Sequence, residues 1–278
     1  MRTLSVMFDE ETPPRSVALI RMVLASIPAH FCLTEGPHAD VVVVSGARHS
    51  WPASLGRQVR NGVPITIVMS PGAADCEEVR HVADQATRAG ALVGIDVGFA
   101  HARFWTSALP RVRKDLASSA LLDSVISSSH VTDTPLVTAF VEQMAVVRSV
   151  VGALDDVRLN HRSADRYMVT ARAGGVLVNL TGLVSARAEA SLSIDLVGWS
   201  SRWRVRFGDD ELARPGDISR FNADGADSQA PIFESPHRAM WLSLHAAAVD
   251  GSRLPYTLDD LAHDLALAEQ LGLFPTDA

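Results

Sequence analysis

Short apolar runs alternate with amphipathic segments through the first hundred residues of the chain. The strand candidates are apolar runs bounded by turn residues, at 3–8, 30–35, 40–46, 65–69 and 91–99. The helix candidates carry apolar residues at helical spacing, at 16–27, at 51–62 and from Asp75 to Gly90. Strands and helices that alternate in this way predict an α/β, Rossmann-like, doubly wound parallel sheet.

Local signals indicate where some of these elements begin and end. Ser16 and Asp75 are expected to cap their helices, because a short polar side chain accepts hydrogen bonds from the free N–H groups of the first turn. Gly90 is expected to end the helix that Asp75 begins. The unbroken β-branched run "DVVVVSG" is typical of a strand that is covered on both faces.

The second half of the chain has a different order of elements. A strand at 123–131 precedes a long apolar helix at 135–152, with Pro135 in its first turn. Four strand candidates then follow without helices between them, which predicts a mainly antiparallel open sheet: 167–173, 175–186, 190–199 and 202–209.

Polar segments separate these strands from two closing helices. Residues 156–166 are interpreted as a solvated connection and residues 212–232 as a loop. The closing helices are expected at 237–251 and 257–272, the second with a capping box of Thr257 and Asp260. We therefore expect a Rossmann-like domain at 1–108 and an α+β domain at 109–278, with the closing helices packing back.

Composition limits the classes of partner. The formal net charge of −7 argues against nucleic acid and anionic membranes, which require clustered Lys and Arg. No apolar run is long enough to span a bilayer, and the acidic "FDEE" near the start is not typical of a signal peptide. Cys32 and Cys76 have no metal-ligand spacing, and the histidines form no zinc motif, so no metal is expected. The expectation is a soluble cytoplasmic protein that binds a small molecule.

Three segments carry a resemblance to a known family. In "ADVVVVSGARHSW", Ser45, Gly46 and His49 follow a buried strand. The second segment contains a glycine, a strand, an X-Pro turn, a helix, an Ala-Gly pair and another strand in "GVPITIVMSPGAADCEEVRHVADQATRAGALVGIDVGFAHARF". The third segment forms a closing pair of helices in "HRAMWLSLHAAAVDGSRLPYTLDDLAHDLALAE". In this order the segments resemble the glucose–fructose oxidoreductase / inositol dehydrogenase (Gfo/Idh/MocA) family, over most of residues 38–270. The resemblance implies a Rossmann-like domain, an open-sheet domain and NAD(P)-dependent oxidoreduction.

The chain departs from that family in the loop after the first strand. The family has a glycine-rich loop there, which lets the backbone approach the pyrophosphate. Here the loop is "DEETPPR", which has no glycine, two prolines without N–H donors, and the carboxylates of Asp9, Glu10 and Glu11. These features disfavour pyrophosphate binding, so no nucleotide cofactor is expected.

Further departures concern the implied catalytic residues. Ser70 stands before Pro71 where the family has a catalytic lysine. By distance from Gly152, Thr138 and Glu142 fall near the family's acid/base Asp and His. The alternative is that NAD or NADP binds at the family positions, with cofactor contacts from the following residues: Ser45, Gly46, His49 and Glu35.

Other polar residues offer chemistry at the expected cleft. His130 and Asp133 follow the first strand of the second domain and could form an acid/base pair, or be a strand-end histidine and a helix-capping aspartate. His101 and Arg103 follow the last parallel strand, where they could contact substrate or form a junction ion pair. The catalytic candidates are therefore His130, Asp133, His101, Glu142 and Ser70, and the substrate-binding candidates are Arg103 and Thr138.

Three functions remain open from the sequence. The chain could act without nucleotide, as a lyase or isomerase of a small polar metabolite or as an auxiliary subunit. It could be a true NAD(P)-dependent oxidoreductase, or a structural partner of an active relative. Apolar residues at alternate positions of 176–184 and 192–207, with Trp199 and Trp203 among them, predict a homo- or hetero-oligomer packed through the second sheet.

Overall fold

The structure is a computed structural model that describes residues 2–36, 38–129, 133–208 and 213–275. Its first half is a parallel sheet in the order β2-β1-β3-β4-β5. The chain enters this sheet as alternating strands and helices: β1 (Leu4–Phe8), α1 (Pro14–Ala25), β2 (Phe31–Leu33), β3 (Val41–Ser45), α2 (Trp51–Arg60), β4 (Ile65–Met69), α3 (Cys76–Ala89) and β5 (Leu92–Asp96). Every residue of β3 and of β4 is buried, as expected for a sheet covered on both faces.

The second half is a larger sheet in the order β13-β12-β11-β10-β6-β9-β8-β7. Within the described residues all its pairs are antiparallel except β6 with β9. Its strands are β6 (Ser119–Ser128), β7 (Asp155–Arg162), β8 (Arg166–Ala173), β9 (Val176–Val184), β10 (Ser191–Gly198), β11 (Ser201–Phe207), β12 (Asp217–Asn222) and β13 (Gly225–Ser228). The predicted fold class, a parallel Rossmann-like sheet followed by a mainly antiparallel one, is confirmed.

Four further helices of the described residues connect and cover the two sheets: α4 (Arg103–Leu116), α5 (Pro135–Val151), α6 (Pro236–Asp250) and α7 (Leu258–Gln270). Helix α6 buries Met240, Trp241 and Leu244 with α1 on one face of the parallel sheet. Helix α7 packs against α3 and α5, so the opposite face is continuous with the core over the second sheet.

A buried polar cluster fixes α7 on α5. Arg148 of α5 forms an ion pair with Asp264 of α7, whose side chain is fully buried. The hydroxyl of Tyr256 donates to Oδ2 of the same carboxylate at 2.8 Å. A buried carboxylate needs such partners, because a desolvated charge without them is strongly destabilising.

Several predicted element ends are confirmed. The side chain of Asp75 accepts hydrogen bonds from the N–H groups of Glu77 and Glu78, and Gly90 ends α3 in the left-handed conformation. The capping box of Thr257 and Asp260 is present. The prediction for Ser16 is wrong, since α1 begins two residues earlier, with Pro13 at the N-cap position.

Other sequence expectations are corrected by the sheet. The segment interpreted as a solvated connection contains β7, and the one interpreted as a loop contains β12 and β13. Strands β7 and β13 are edge strands with exposed polar residues, so they lack the apolar alternation by which a half-buried strand is recognised. Strand β12, between β11 and β13, buries only Ile218 and Ser219. Helix α4 was not predicted at all.

The outer face of the larger sheet mixes apolar and charged side chains. Four of its exposed apolar residues lie near the centre of the sheet, on β6, β8 and β9: Val125, Met168, Leu177 and Leu183. Phe221 of β12 is also exposed and lies opposite Arg202. Trp203, expected among them, is instead buried on the inner face, and Trp199 is fully exposed between β10 and β11. The neighbouring outward positions of β11 carry Arg202, Arg204 and Arg206.

Replacement of Asp264 by alanine should lower the free energy of unfolding by about 3–5 kcal/mol, because Arg148 is left half-buried without its partner. Tyr256→Phe removes one hydrogen bond and should cost only about 0.5–1.5 kcal/mol. Urea denaturation at neutral pH measures both values. Asp259→Ala, at an exposed carboxylate in the same helix, is the control. Equal losses for Asp264→Ala and Asp259→Ala would contradict this role.

Candidate functional site

Two loops meet at the carboxyl edge of the parallel sheet. The N–H of Gly46, after β3, donates to the carbonyl of Met69 at 2.7 Å, and the N–H of Gly72 donates to the carbonyl of Gly46 at 2.9 Å. A Cβ atom on Gly46 would lie 2.6 Å from the Cα of Pro71. The close approach of the two backbones therefore requires glycine at this position.

The same loops contact the start of α5. The N–H of Ala73 donates to the hydroxyl of Thr134 at 2.8 Å, and a Cβ atom on Gly72 would lie 2.6 Å from that hydroxyl oxygen. Thr134 is the N-cap residue of α5, but its side chain makes no capping bond within the helix. We call this contact of the β3 loop, the β4 loop and the α5 start the loop junction. It leaves the positive end of α5 without a side-chain cap.

Ser70 enters the loop junction in a conformation that serine rarely adopts. Its φ of 46° lies in the left-handed region, and its N–H donates to the carbonyl of Asp96 at 3.1 Å. Backbone strain of this kind costs roughly 1–3 kcal/mol and is concentrated at functional sites. The half-buried serine thus stands at the edge where open α/β sheets bind ligands.

His49 is tied to the same junction. Its Nδ1 lies 3.1 Å from the carbonyl of Ala73, an arrangement in which Nδ1 carries the proton and Nε2 is the acceptor of the neutral ring. The structure therefore brings several sequence-predicted residues to one region: Ser45, Gly46, His49, Ser70 and Thr138. Thr138 is fully buried and donates its hydroxyl to the carbonyl of Thr134 at 3.3 Å.

The loop after β1 is held by internal bonds of Asp9. This buried carboxylate accepts from Nε2 of Gln58 at 2.7 Å, from Nη2 of Arg57 at 3.1 Å and from the N–H of Glu11 at 3.2 Å. Helix α1 follows directly, with Pro13 at the N-cap and Pro14 as its first residue. The start of α1 therefore lacks two N–H donors that could bind a phosphate.

Sequence reasoning missed a buried pair at the end of β5. Nδ1 of His237, in the first turn of α6, lies 2.8 Å from Oδ2 of Asp96, and both side chains are almost fully buried. Burial is the largest influence and acts to raise the pKa of Asp96. The charge and hydrogen bond of His237, with smaller contributions from the charge of His101 and the N–H of Gly98, together hold that pKa below its ordinary value. The only sequence signal was an aspartate at the end of an apolar strand, since His237 lies 141 positions away.

His101 and Arg103 lie around a different cavity. It has a volume of about 430 Å³. Besides His101 and Glu234, its lining residues belong to α4, to α6 and to the loop before α7, and none belongs to the loops after β3 and β4. Nε2 of His101 lies 2.9 Å from the carbonyl of Ile95. Arg103 is exposed and lies 3.9 Å from the carboxylate of Glu234.

The remaining candidates are dispersed. Asp133 and Glu35 are exposed, and Asp133 lines a separate pocket with Arg162 and Leu273. Glu142 is buried. Burial of Tyr167, and after it the charge of Glu142, raises the pKa of Tyr167 well above its ordinary value. His130 lies outside the described residues, so its pairing with Asp133 stays a prediction.

Neither a metal site nor a membrane span is found in the part of the chain that the structure describes. No group of three or more His, Cys, Asp or Glu residues there is arranged to hold a metal ion. No helix there combines the length and the apolar character that crossing a bilayer requires.

Comparison with known proteins identifies relatives by structure alone. No family model and no curated protein matches the sequence. The UDP-N-acetylglucosamine 3-dehydrogenase GnnA from Acidithiobacillus ferrooxidans is similar, with a TM-score of 0.74, 13% identity and coverage of 98% of this chain and 97% of that one. An oxidoreductase from Thermotoga maritima matches with a TM-score of 0.74, 12% identity and coverage of 97% and 96%. A dehydrogenase from Chromobacterium violaceum matches with a TM-score of 0.68, 16% identity and coverage of 96% and 86%.

These similarities extend over nearly the whole chain and confirm the resemblance at the level of fold. The solved structures are oxidoreductases with the Gfo/Idh/MocA type of architecture, and this chain has the same architecture. Sequence identities of 12–16% show a similar fold only, so the activity of this chain has to be inferred from its own site.

Asp96→Asn should lower stability at neutral pH, because the replacement removes the charge that faces His237. The lowered pKa of Asp96 means that its contribution is fully present above the unfolded-state pKa of about 3.9 and is lost as the pH falls through the folded-state pKa. The stability difference between wild type and variant should therefore shrink in acid. Urea denaturation across pH measures it, with Asp84→Asn, an exposed carboxylate of α3, as the control. A difference that is constant with pH would disprove the ionic coupling.

Proposed function

We propose that this chain is an oxidoreductase-like protein that works without a nucleotide at the β1 loop. In this proposal the site is degenerate, and the chain is a cofactor-independent lyase or isomerase of a small polar metabolite or an auxiliary subunit. The single observation that carries the proposal is the internal bonding of Asp9, supported by the two prolines that begin α1.

Electrostatics at this loop oppose a bound pyrophosphate. Two like unit charges 4 Å apart repel by about 4 kcal/mol at an effective dielectric constant of 20. Arg57 offsets part of this repulsion, but its side chain is half-exposed and already bonded to Asp9. The missing N–H donors of Pro13 and Pro14 remove the attraction that usually compensates phosphate desolvation at a helix start.

The loop junction supports binding of a small anionic or polar substrate. The start of α5 has no side-chain cap, so its positive end favours a negatively charged group. His49 and Ser70 lie nearby and offer an acceptor nitrogen and a hydroxyl. Proton transfer is therefore the chemistry that these residues favour, with the sequence-predicted His130, Asp133 and Glu142 as further candidates.

The alternative is a true NAD(P)-dependent oxidoreductase of a small polar or sugar-like substrate. The observation in its favour is the similarity to dehydrogenases over nearly the whole chain, including one that acts on UDP-N-acetylglucosamine. In that case the nucleotide would have to bind without a glycine-rich loop, through other contacts at the carboxyl edge.

Titration with NADH and NADPH, followed by nicotinamide fluorescence and calorimetry, separates the two functions. We expect dissociation constants no tighter than about 1 mM for either nucleotide. Asp9→Asn should tighten binding by only a few fold, because it removes the charge but leaves the two prolines. Glu10→Asn, at the exposed neighbouring carboxylate, is the matched control. Micromolar binding to the unaltered chain would refute the proposal.

We further propose that the chain forms a dimer or larger assembly through the outer face of the second sheet. The exposed apolar side chains at its centre support this, since wide apolar patches are uncommon on monomers. Replacing Leu177 and Leu183 by arginine should reduce the assembly to single chains in light scattering. Leu33→Arg, on the parallel sheet, is the control and should leave the mass unchanged. A wild-type mass equal to that of one chain, with no partner co-purifying, would count against self-association.

A further inference from the structure

Helix α6 crosses one face of the parallel sheet from its carboxyl edge to its amino edge. At the carboxyl edge, His237 in the first turn of the helix lies against Asp96, the last residue of β5. At the amino edge, Nε2 of His245 donates to the carbonyl of Arg2 at 2.8 Å, and the side chain of Arg2 is paired with Asp40. A histidine therefore holds each end of the helix, and only the first of them faces a carboxylate.

The histidine at the amino edge has a second histidine as its neighbour. The rings of His30 and His245 meet edge to face, with their centroids 4.7 Å apart. His30 precedes β2, and its carbonyl accepts the N–H of Leu4 at the start of β1. His245 also contacts the ring of Phe31, which is buried. The two histidines, which we call the histidine pair, thus join the second half of α6 to the first residues of two strands.

Protonation of His30 is unfavourable in this contact. Both ring nitrogens of a protonated histidine are donors, but Nδ1 of His30 is buried and has no hydrogen-bond partner among the described residues. A buried donor without an acceptor destabilises the packed state, and more so when the group is charged. A charge on His245 at the same time would place two like charges one ring contact apart.

The charged groups that act on His30 both belong to α6. Burial, the largest influence, lowers the pKa of His30, and the charges of His245 and Arg238 lower it further. Arg238 forms a close ion pair with Glu234, so that carboxylate is already engaged. Geometry and charge therefore agree that the histidine pair is packed in its neutral form.

We propose that α6 is a pH-sensitive helix, whose end at the amino edge of the sheet loosens in mild acid while its end at the carboxyl edge stays in place. The packed state excludes a proton from His30, so the contact is at full strength above the unfolded-state pKa of about 6.5 and weakens as the pH falls below it. The pKa of Asp96 is lowered, so its carboxylate stays ionised against His237 over the same range. This device lies outside the proposed function, because it shares no residue with the loop junction or the β1 loop.

Hydrogen exchange of the full chain at about pH 7.5 and about pH 5.5 tests the proposal, since histidine titrates between these values. Protection is taken relative to the intrinsic exchange rates at each pH. Protection of residues 244–250 and 26–33 should fall by about tenfold in acid, because one unit below a pKa of 6.5 about ten of eleven unfolded histidines are protonated. Helices α3 and α7 and strand β5 should keep their protection.

Two variants assign the effect to the histidine pair. His30→Phe keeps an aromatic ring against His245 but cannot be protonated, so the loss of protection in acid should disappear. His245→Gln can still donate to the carbonyl of Arg2 and should reduce the loss. His81→Phe, at an exposed histidine of α3, is the matched control and should retain the whole loss. Circular dichroism at neutral pH confirms the fold of each variant.

Three results would overturn the proposal. Equal protection of residues 244–250 and 26–33 at the two pH values would show that the histidine pair does not respond to acid, and this result requires no variant. An equal loss in α3, α7 and β5 would show general acid unfolding instead of a local opening of α6. The full acid loss in both His30→Phe and His245→Gln would assign the effect to other groups.

Discussion

The loop junction is the constraint on which the site depends. Peptide groups of Gly46, Met69, Gly72 and Ala73 bond one another or the hydroxyl of Thr134 at distances of 2.7–2.9 Å. No larger residue fits at Gly46 or Gly72 without moving backbone or the start of α5. The end of the parallel sheet is thereby fixed to the helix that carries the core of the second sheet, and the edge of the sheet becomes a rigid place to hold polar groups.

Local patterns were sufficient to predict most of the fold from the sequence. The β-branched run of β3 and the caps at Asp75, Gly90 and Thr257 act within a few residues, so one sequence suffices to recognise them. The edge strands β7 and β13 could not be recognised from their own residues. Their stability comes from the neighbouring strand, and their own residues are polar and exposed, so periodicity gives no signal.

From the sequence, residues of the site could be grouped only where the family resemblance implied that they lie close together in the fold. Ser45, Gly46, His49 and Ser70 meet because the carboxyl ends of adjacent parallel strands lie side by side. The pair of Asp96 and His237 joins β5 to a helix far along the chain, and nothing local to either residue indicates the other. His101 illustrates the reverse error: it follows the correct strand, but it belongs to a cavity on the α6 side of the sheet.

The fold and the cofactor loop can vary separately because different interactions maintain them. The parallel sheet is held by buried strands β3 and β4 and by helices on both faces, none of which requires a phosphate at the β1 loop. In a nucleotide-binding protein that loop gains stability when the ligand satisfies its N–H groups. Here Asp9 accepts from Arg57, Gln58 and Glu11, while Thr12 donates its N–H to the carbonyl of Asp9. Asp9 is thus satisfied within the chain, so the proposed absence of a nucleotide at this loop is compatible with the observed architecture.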